Sequence, residues 1–172
     1  MLIASLLALA LAQELGPEVG TTIPEVDRFA AVMGDDGATI VFVRSVDWCP
    51  FCKAQVVSLD EAADEFEREG RPLVFVSYDS QATQAAFAEA EELESVFIAD
   101  EGSEMIEAFG LLNEQYAPGS RVYGVPHPAI FIVDEDGTID AKLYEDDYTT
   151  NRASYRNRPA TEIVLKAVEA AD

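Results

Sequence analysis

Three runs of the chain are apolar almost without interruption, where a half-buried strand would alternate. They are Thr39-Ile40-Val41-Phe42-Val43-Arg44, Leu73-Val74-Phe75-Val76-Ser77-Tyr78 and Ala129-Ile130-Phe131-Ile132-Val133. β-Branched and aromatic residues in runs this short predict strands, and strands apolar on both sides must be covered on both faces. The intervening stretches supply the cover. Residues from Pro50 to Glu69 place Val56, Leu59, Ala63 and Phe66 on one helical face, and Gly70 ends the pattern. Ala82 to Leu93 reads as a helix that is acidic on its outer side, and Val96 to Ala99 as a short strand. Ser103 to Phe109 reads as a short helix, and Pro159 to Ala170 as the last one. Asp134-Glu135-Asp136-Gly137 predicts a hairpin turn into Thr138–Tyr144, which makes the sheet mixed. An N-terminal helix is expected from a Thr22 cap and Pro24, running through Phe29 and Val32 to the Gly34–Gly37 turn. The expectation is an α/β domain, from residue 16 to 172, with a central mixed sheet flanked by helices.

A chain of 172 residues suits one such domain and can bury a core without metal or disulfide staples. Its charge excludes some functions. Eleven basic residues against 33 acidic ones leave a formal −22. Nucleic acid and anionic lipid both need Lys and Arg to displace counterions, so neither is expected as a partner. The first dozen residues, Met1 to Ala12, are almost wholly apolar, too short for a membrane span, and end in the small-x-small run Ala10-Leu11-Ala12. They read as a secretory signal and predict an extracytoplasmic protein. Read as an N-terminal helix on the domain, the same run leaves the protein cytoplasmic. No other segment is expected to cross a membrane.

The two cysteines stand three apart in Asp47-Trp48-Cys49-Pro50-Phe51-Cys52. They follow a predicted strand, and Pro50 opens a predicted helix. A sulfur there faces unpaired backbone N–H groups and the positive end of the helix dipole, which favour thiolate. Cys52, one turn on, is placed to attack a mixed disulfide at Cys49. Pro50 loses nothing in the first turn, where its N–H would have no partner. Trp48 and Phe51 bring large apolar rings to the sulfurs. Two other readings are a structural disulfide and half of a zinc site. A disulfide closing so small a loop adds little stability through chain entropy, and zinc needs four ligands, with only His127 here besides carboxylates.

The run Trp48-Cys49-Pro50-Phe51-Cys52-Lys53 resembles the active-site signature of the thioredoxin superfamily. The longer run from Arg44 resembles bacterial redoxins, the alkyl-hydroperoxide-reductase/thiol-specific-antioxidant group. The likeness extends to Val76–Ser80, to Phe109-Gly110-Leu111 and to Gly124–Asp134. It implies a thioredoxin-like fold, with an inserted strand and helix as in peroxiredoxin-like and TlpA-like proteins. It also implies that Pro128 occupies the family's cis-proline position facing the dithiol, with His127 beside Cys49 as a cation or proton shuttle. Peroxiredoxins carry a Thr three residues before the peroxidatic Cys and an Arg near the opposite wall; Val46 and Pro128 stand there instead. Thioredoxin's buried acid before the motif is replaced by Val43.

The leading expectation is a thiol–disulfide oxidoreductase with Cys49 as nucleophile and Cys52 resolving. Its partners are protein or small-molecule disulfides and thiols, and it needs no cofactor beyond the Cys49–Cys52 pair. The alternatives are a thiol peroxidase, with Cys49 oxidised by a peroxide, and a copper-binding assembly factor using Cys49, Cys52 and His127. The acidic cluster at residues 134–136 reads as a turn and not as a metal site. The polar, aromatic stretch Tyr144–Pro159, with three arginines, receives no role. Sequence leaves the direction of electron flow open.

Overall fold

The computed structural model describes residues 14–171, so the signal-like run at residues 1–12 lies outside the described residues. Five strands form one sheet: β1 (Ala38–Phe42), β2 (Leu73–Ser77), β3 (Val96–Ala99), β4 (Ala129–Val133) and β5 (Ile139–Tyr144). Their spatial order is β3-β2-β1-β4-β5. β1 pairs in parallel with β2 and β2 with β3, whereas β4 is antiparallel to both β1 and β5. The helices are α1 (Pro50–Asp60), α2 (Ala63–Arg68), α3 (Gln81–Glu91), α4 (Glu104–Ala108) and α5 (Thr161–Glu169). The mixed sheet with covering helices expected from the sequence is therefore present.

The unbroken apolar runs follow from a sheet buried on both sides. β1, β2 and β4 are buried at every position. Ile40, Phe42, Val74, Val76, Phe131 and Val133 face one core, with Phe29, Met105 and Phe109. Val41, Val43, Phe75, Ile130 and Ile132 face the other, with Val56, Leu59 and Phe66 from α1 and α2 and Val164 and Val168 from α5. Cys49 and Cys52 belong to this second core. The β4–β5 hairpin turns at Asp134, whose Oδ1 accepts the N–H groups of Asp136 at 2.9 Å and Thr138 at 2.7 Å. The acidic cluster is a turn, as the sequence implied. Gly37, at φ +125°, brings the chain into β1 so close to β4 that a Cβ would strike the Val133 carbonyl.

Two expected helices differ. The N-terminal one shrinks to a 3₁₀ turn at Val26–Arg28. The preceding residues are spent on strand-like pairing: Gly20 N–H reaches Ile139 O, Ile139 N–H reaches Thr21 O and Ile23 N–H reaches Gly137 O, at 2.8–3.0 Å. The long helix after the cysteines divides into α1 and α2 around Glu61 and Ala62. There the Asp60 carboxylate accepts the N–H groups of Glu94 and Ser95, tying the end of α1 to the entry of β3. Gly70 does close α2, at φ +66°, with Arg71 N–H bonded to Phe66 O at 3.0 Å.

Candidate redox site

Pro50 is the first residue of α1 and Cys49 is its N-cap, in extended conformation. Cys49 Sγ accepts the Cys52 N–H at 3.3 Å, so a helix-terminal donor points at the sulfur. That is the local reason for a stabilised thiolate at this position. The two sulfurs are joined as a disulfide, with the Cα atoms 5.3 Å apart. Both cysteines are almost fully covered, while Trp48 and Phe51 are 37% and 40% exposed and form the rim.

The loop between β1 and α1 is held by one carboxylate. Asp79 Oδ1 accepts Ser45 Oγ–H at 2.8 Å, and Oδ2 accepts Val46 N–H at 2.7 Å and Ser77 Oγ–H at 2.8 Å. Ser45 Oγ in turn accepts the N–H groups of Asp47 and Trp48, and Ser77 Oγ accepts Gln84 Nε2–H. Asp79, Ser45, Ser77 and Gln84 are all buried. The Trp48 indole donates to Tyr78 Oη at 2.9 Å. Burial is the main cause that raises the Tyr78 phenol above its usual value. Every residue from Ser45 to Trp48 is thus bonded directly or through one hydroxyl to the end of β2.

Two arginines stand at the motif, Arg44 over Trp48 and Arg158 at Cys52. Arg44, at the end of β1 and 3% exposed, lies over the rings of Tyr155 at 4.0 Å, Trp48 at 5.1 Å and Tyr116 at 5.6 Å. Its Nη2 donates to Tyr116 Oη at 2.9 Å, and its Nε–H has no partner. This cage joins Trp48 to two otherwise separate loops. Tyr155 also packs edge-on against Phe51, with centroids 6.0 Å apart. Its phenol is drawn below the usual range, chiefly by the hydrogen bond from Arg156. Arg158 Nη2 lies 3.5 Å from Cys52 Sγ. Burial and the nearby Arg44 bring the Arg158 guanidinium down to about 10, so it remains a cation at neutral pH.

The opposite wall departs from what the resemblance implied. All peptide bonds among the described residues are trans, so His127–Pro128 does not supply a cis-proline. Pro128 lines a cavity of about 600 Å³ together with Gln55, Tyr155 and Arg158, on the Cys52 side of the site. His127 makes no hydrogen bond to either sulfur. Its N–H is held by Leu111 O at 2.7 Å, and its ring packs edge-on against Tyr148 at 4.7 Å. Burial, helped by the charge of Arg44, lowers its pKa from 6.5 to about 4. The imidazole is therefore neutral near pH 7 and cannot act there as the cation expected beside Cys49.

The same shift makes a prediction about stability. Between pH 6.5 and 4 the unfolded chain binds a proton at His127 that the folded chain does not. The stability tied to the neutral ring is complete above 6.5 and is lost as pH falls toward 4, by up to about 3 kcal/mol. Urea unfolding at pH 7 and pH 4.5 should show a smaller fall in His127→Gln than in the unmodified protein. Equal falls would mean that His127 is not the responsible group.

Asp79, Tyr155, Arg44 and Arg158 were not among the site residues expected from the sequence. Asp79 and Arg44 carried a signal, their places in the Val76–Ser80 likeness and in the longer run from Arg44; Arg158 lies 106 positions from the sulfur that it touches.

The AhpC/TSA family profile matches residues 25–142. A Haemophilus influenzae protein named as the peroxiredoxin bcp is 30% identical over 120 residues, covering 69% of this chain and 77% of that protein. A peroxiredoxin of Hyperthermus butylicus is 25% identical over 145 residues, covering 74% of this chain but 58% of its own length. Among solved structures, reduced Prx3 of Vibrio vulnificus in complex with H₂O₂ superposes with a TM-score of 0.70 at 18% identity, covering 89% of this chain and 96% of that one. The peroxidoxin BcpB of Mycobacterium tuberculosis gives 0.68 at 16% identity, covering 92% and 97%. At these identities the structures speak for the fold alone, which is thioredoxin-like. With the profile spanning most of the sheet and both cysteines, the chain belongs to the AhpC/TSA family.

Proposed function

We propose that the protein is a thiol–disulfide oxidoreductase, with Cys49 as the exchanging sulfur and Cys52 as the resolving one. The observation that supports this most is the position of Cys49 as the N-cap of α1, its sulfur accepting the Cys52 N–H and bonded to Cys52 within one helical turn. A thiolate at Cys49 attacks a partner disulfide, and one partner sulfur leaves as a thiolate. Cys52, deprotonated, then attacks Cys49 in the mixed disulfide, which frees the second partner sulfur and closes the pair. Two electrons pass to the partner, and the same steps in reverse pass two electrons from a dithiol partner to the pair. The partners are protein or small-molecule disulfides and thiols.

Peroxide reduction is the second reading, and the family match with its peroxiredoxin relatives favours it. There Cys49 would attack a peroxide oxygen, form a sulfenate and release water or alcohol, and Cys52 would close the disulfide. The groups at hand count against it. Position 46 offers an apolar Val whose N–H is already taken by Asp79, and position 128 offers Pro.

One pair of measurements separates the two. Equilibration with glutathione should interconvert Cys49–Cys52 reversibly, and reduced protein should turn over a model disulfide. Fast hydrogen peroxide consumption that vanishes in Cys49→Ser, with no turnover of disulfides, would overturn the exchange reading in favour of the second.

A further inference from the structure

The described residues hold few cations in a strongly acidic chain, and two of them, Arg158 at Cys52 and Arg44 over Trp48, lack an ion-pair partner among those residues. Neither Arg44 nor Arg158 forms an ion pair. Each keeps a buried Nε–H with no partner. Arg158 directs Nη2 at Cys52 Sγ, 3.5 Å away, and its Nη1 is used by the Asn157 carbonyl. Beside it, Gln55, 7% exposed, has a buried Oε1 with no partner. In the disulfide form these guanidiniums repel one another, and the Glu145 carboxylate acts on Arg158 only from beyond ion-pair distance. Reduction creates an anion at the sulfur that Arg158 already touches.

We propose that Arg158 is a catalytic cation for Cys52, stabilising the Cys52 thiolate and so driving the pair to accept electrons from substrate dithiols. The proposal rests on the exchange reading above and supplies its direction. A substrate thiolate attacks Cys49 Sγ, the Cys49–Cys52 bond breaks, and its electron pair leaves on Cys52 beside Arg158. The second substrate thiol loses its proton and attacks the mixed disulfide. The substrate disulfide forms, and Cys49 departs as a thiolate, one proton being retained by the reduced pair. In sum, a substrate dithiol and the protein disulfide give a substrate disulfide, a reduced Cys49–Cys52 pair that holds one thiol and one thiolate, and one proton. A better-stabilised leaving thiolate speeds the first step, and a stabilised reduced form makes the pair the stronger oxidant.

The test compares the full-length protein with Arg158→Met and Arg158→Lys. In glutathione buffers, Arg158→Met should lower the equilibrium constant for oxidising glutathione about tenfold, close to 30 mV for a two-electron couple. Arg158→Lys should stay within about threefold of the parent. A second readout needs no exchange partner: the melting temperature of the dithiothreitol-reduced protein minus that of the oxidised protein. That gap should narrow in Arg158→Met and persist in Arg158→Lys. A gap and an equilibrium constant unchanged in Arg158→Met would overturn the proposal, as would a Lys variant that behaves like Met. If the parent fails to equilibrate with glutathione, the exchange reading falls, while the gap between reduced and oxidised forms still decides the role of Arg158.

Discussion

Cys49→Ser should lose disulfide exchange by on the order of 10³-fold or more, with the fold retained. A serine hydroxyl at the α1 N-cap still accepts the Cys52 N–H, and serine is a preferred N-cap residue, so the helix start is preserved. What disappears is the sulfur at the N-cap. The remaining Cys52 is covered in the second core like Cys49, but it lies within the first turn of α1 and not at the N-cap. Turnover of a model disulfide, read with far-ultraviolet circular dichroism on the same sample, checks both halves. Substantial turnover in Cys49→Ser would show that Cys52 is the attacking sulfur. Cys52→Ser should instead accumulate a stable mixed disulfide at Cys49, visible as a mass adduct, because the resolving step has no nucleophile.

The second large effect belongs to a residue that takes no part in the electron transfer. Asp79→Ala should cost about 3–5 kcal/mol of unfolding free energy and slow exchange as well. The carboxylate accepts three donors, from Ser45, Val46 and Ser77, all in the interior. Removing it leaves each without a partner, at roughly 1–3 kcal/mol apiece before water or rearrangement recovers a part. Ser45 Oγ also carries the N–H groups of Asp47 and Trp48. Once its own acceptor is gone, the loop that sets Cys49 at the helix end loses its fixed geometry. Denaturant unfolding measures the first effect and the exchange rate the second. A variant within 1 kcal/mol of the parent would mean that the network is replaced at little cost.

Much of this fold was legible because local pattern and burial coincide. The runs at residues 39–44, 73–78 and 129–133 need cover on two faces, and the sheet supplies two cores. The Asp134–Gly137 turn and the Gly70 helix stop are written in single residues with specific backbone needs. The misread elements are those where a distant partner wins. The helix expected from the Thr22 cap shrinks to Val26–Arg28 because residues 20–23 pair through the backbone with Gly137 and Ile139, and α1 parts from α2 where Asp60 bonds the entry to β3. The site divides the same way. Cys49, Pro50 and Cys52 form one contiguous motif whose chemistry depends on a helix end. His127 and Pro128 were placed by likeness alone, and their surroundings, Tyr148 and a trans peptide, depend on the loop at residues 145–159. Arg158 and Asp79 act across 106 and 33 positions, distances over which no local pattern carries information.

That loop leaves the sheet after β5 and returns to it at α5, both of which are packed into the cores. Between them, Tyr155 and Arg158 bend over the first turn of α1 without contributing a strand or a helix of the main frame. The family match ends at residue 142, ahead of both. The sheet with its two cysteines and the cation at Cys52 thus come from different segments of the chain. Lengthening residues 145–159 carries a small closure cost and leaves the sheet and the two cysteines in place, so on the role proposed for Arg158 the electron affinity of the pair is set apart from its scaffold.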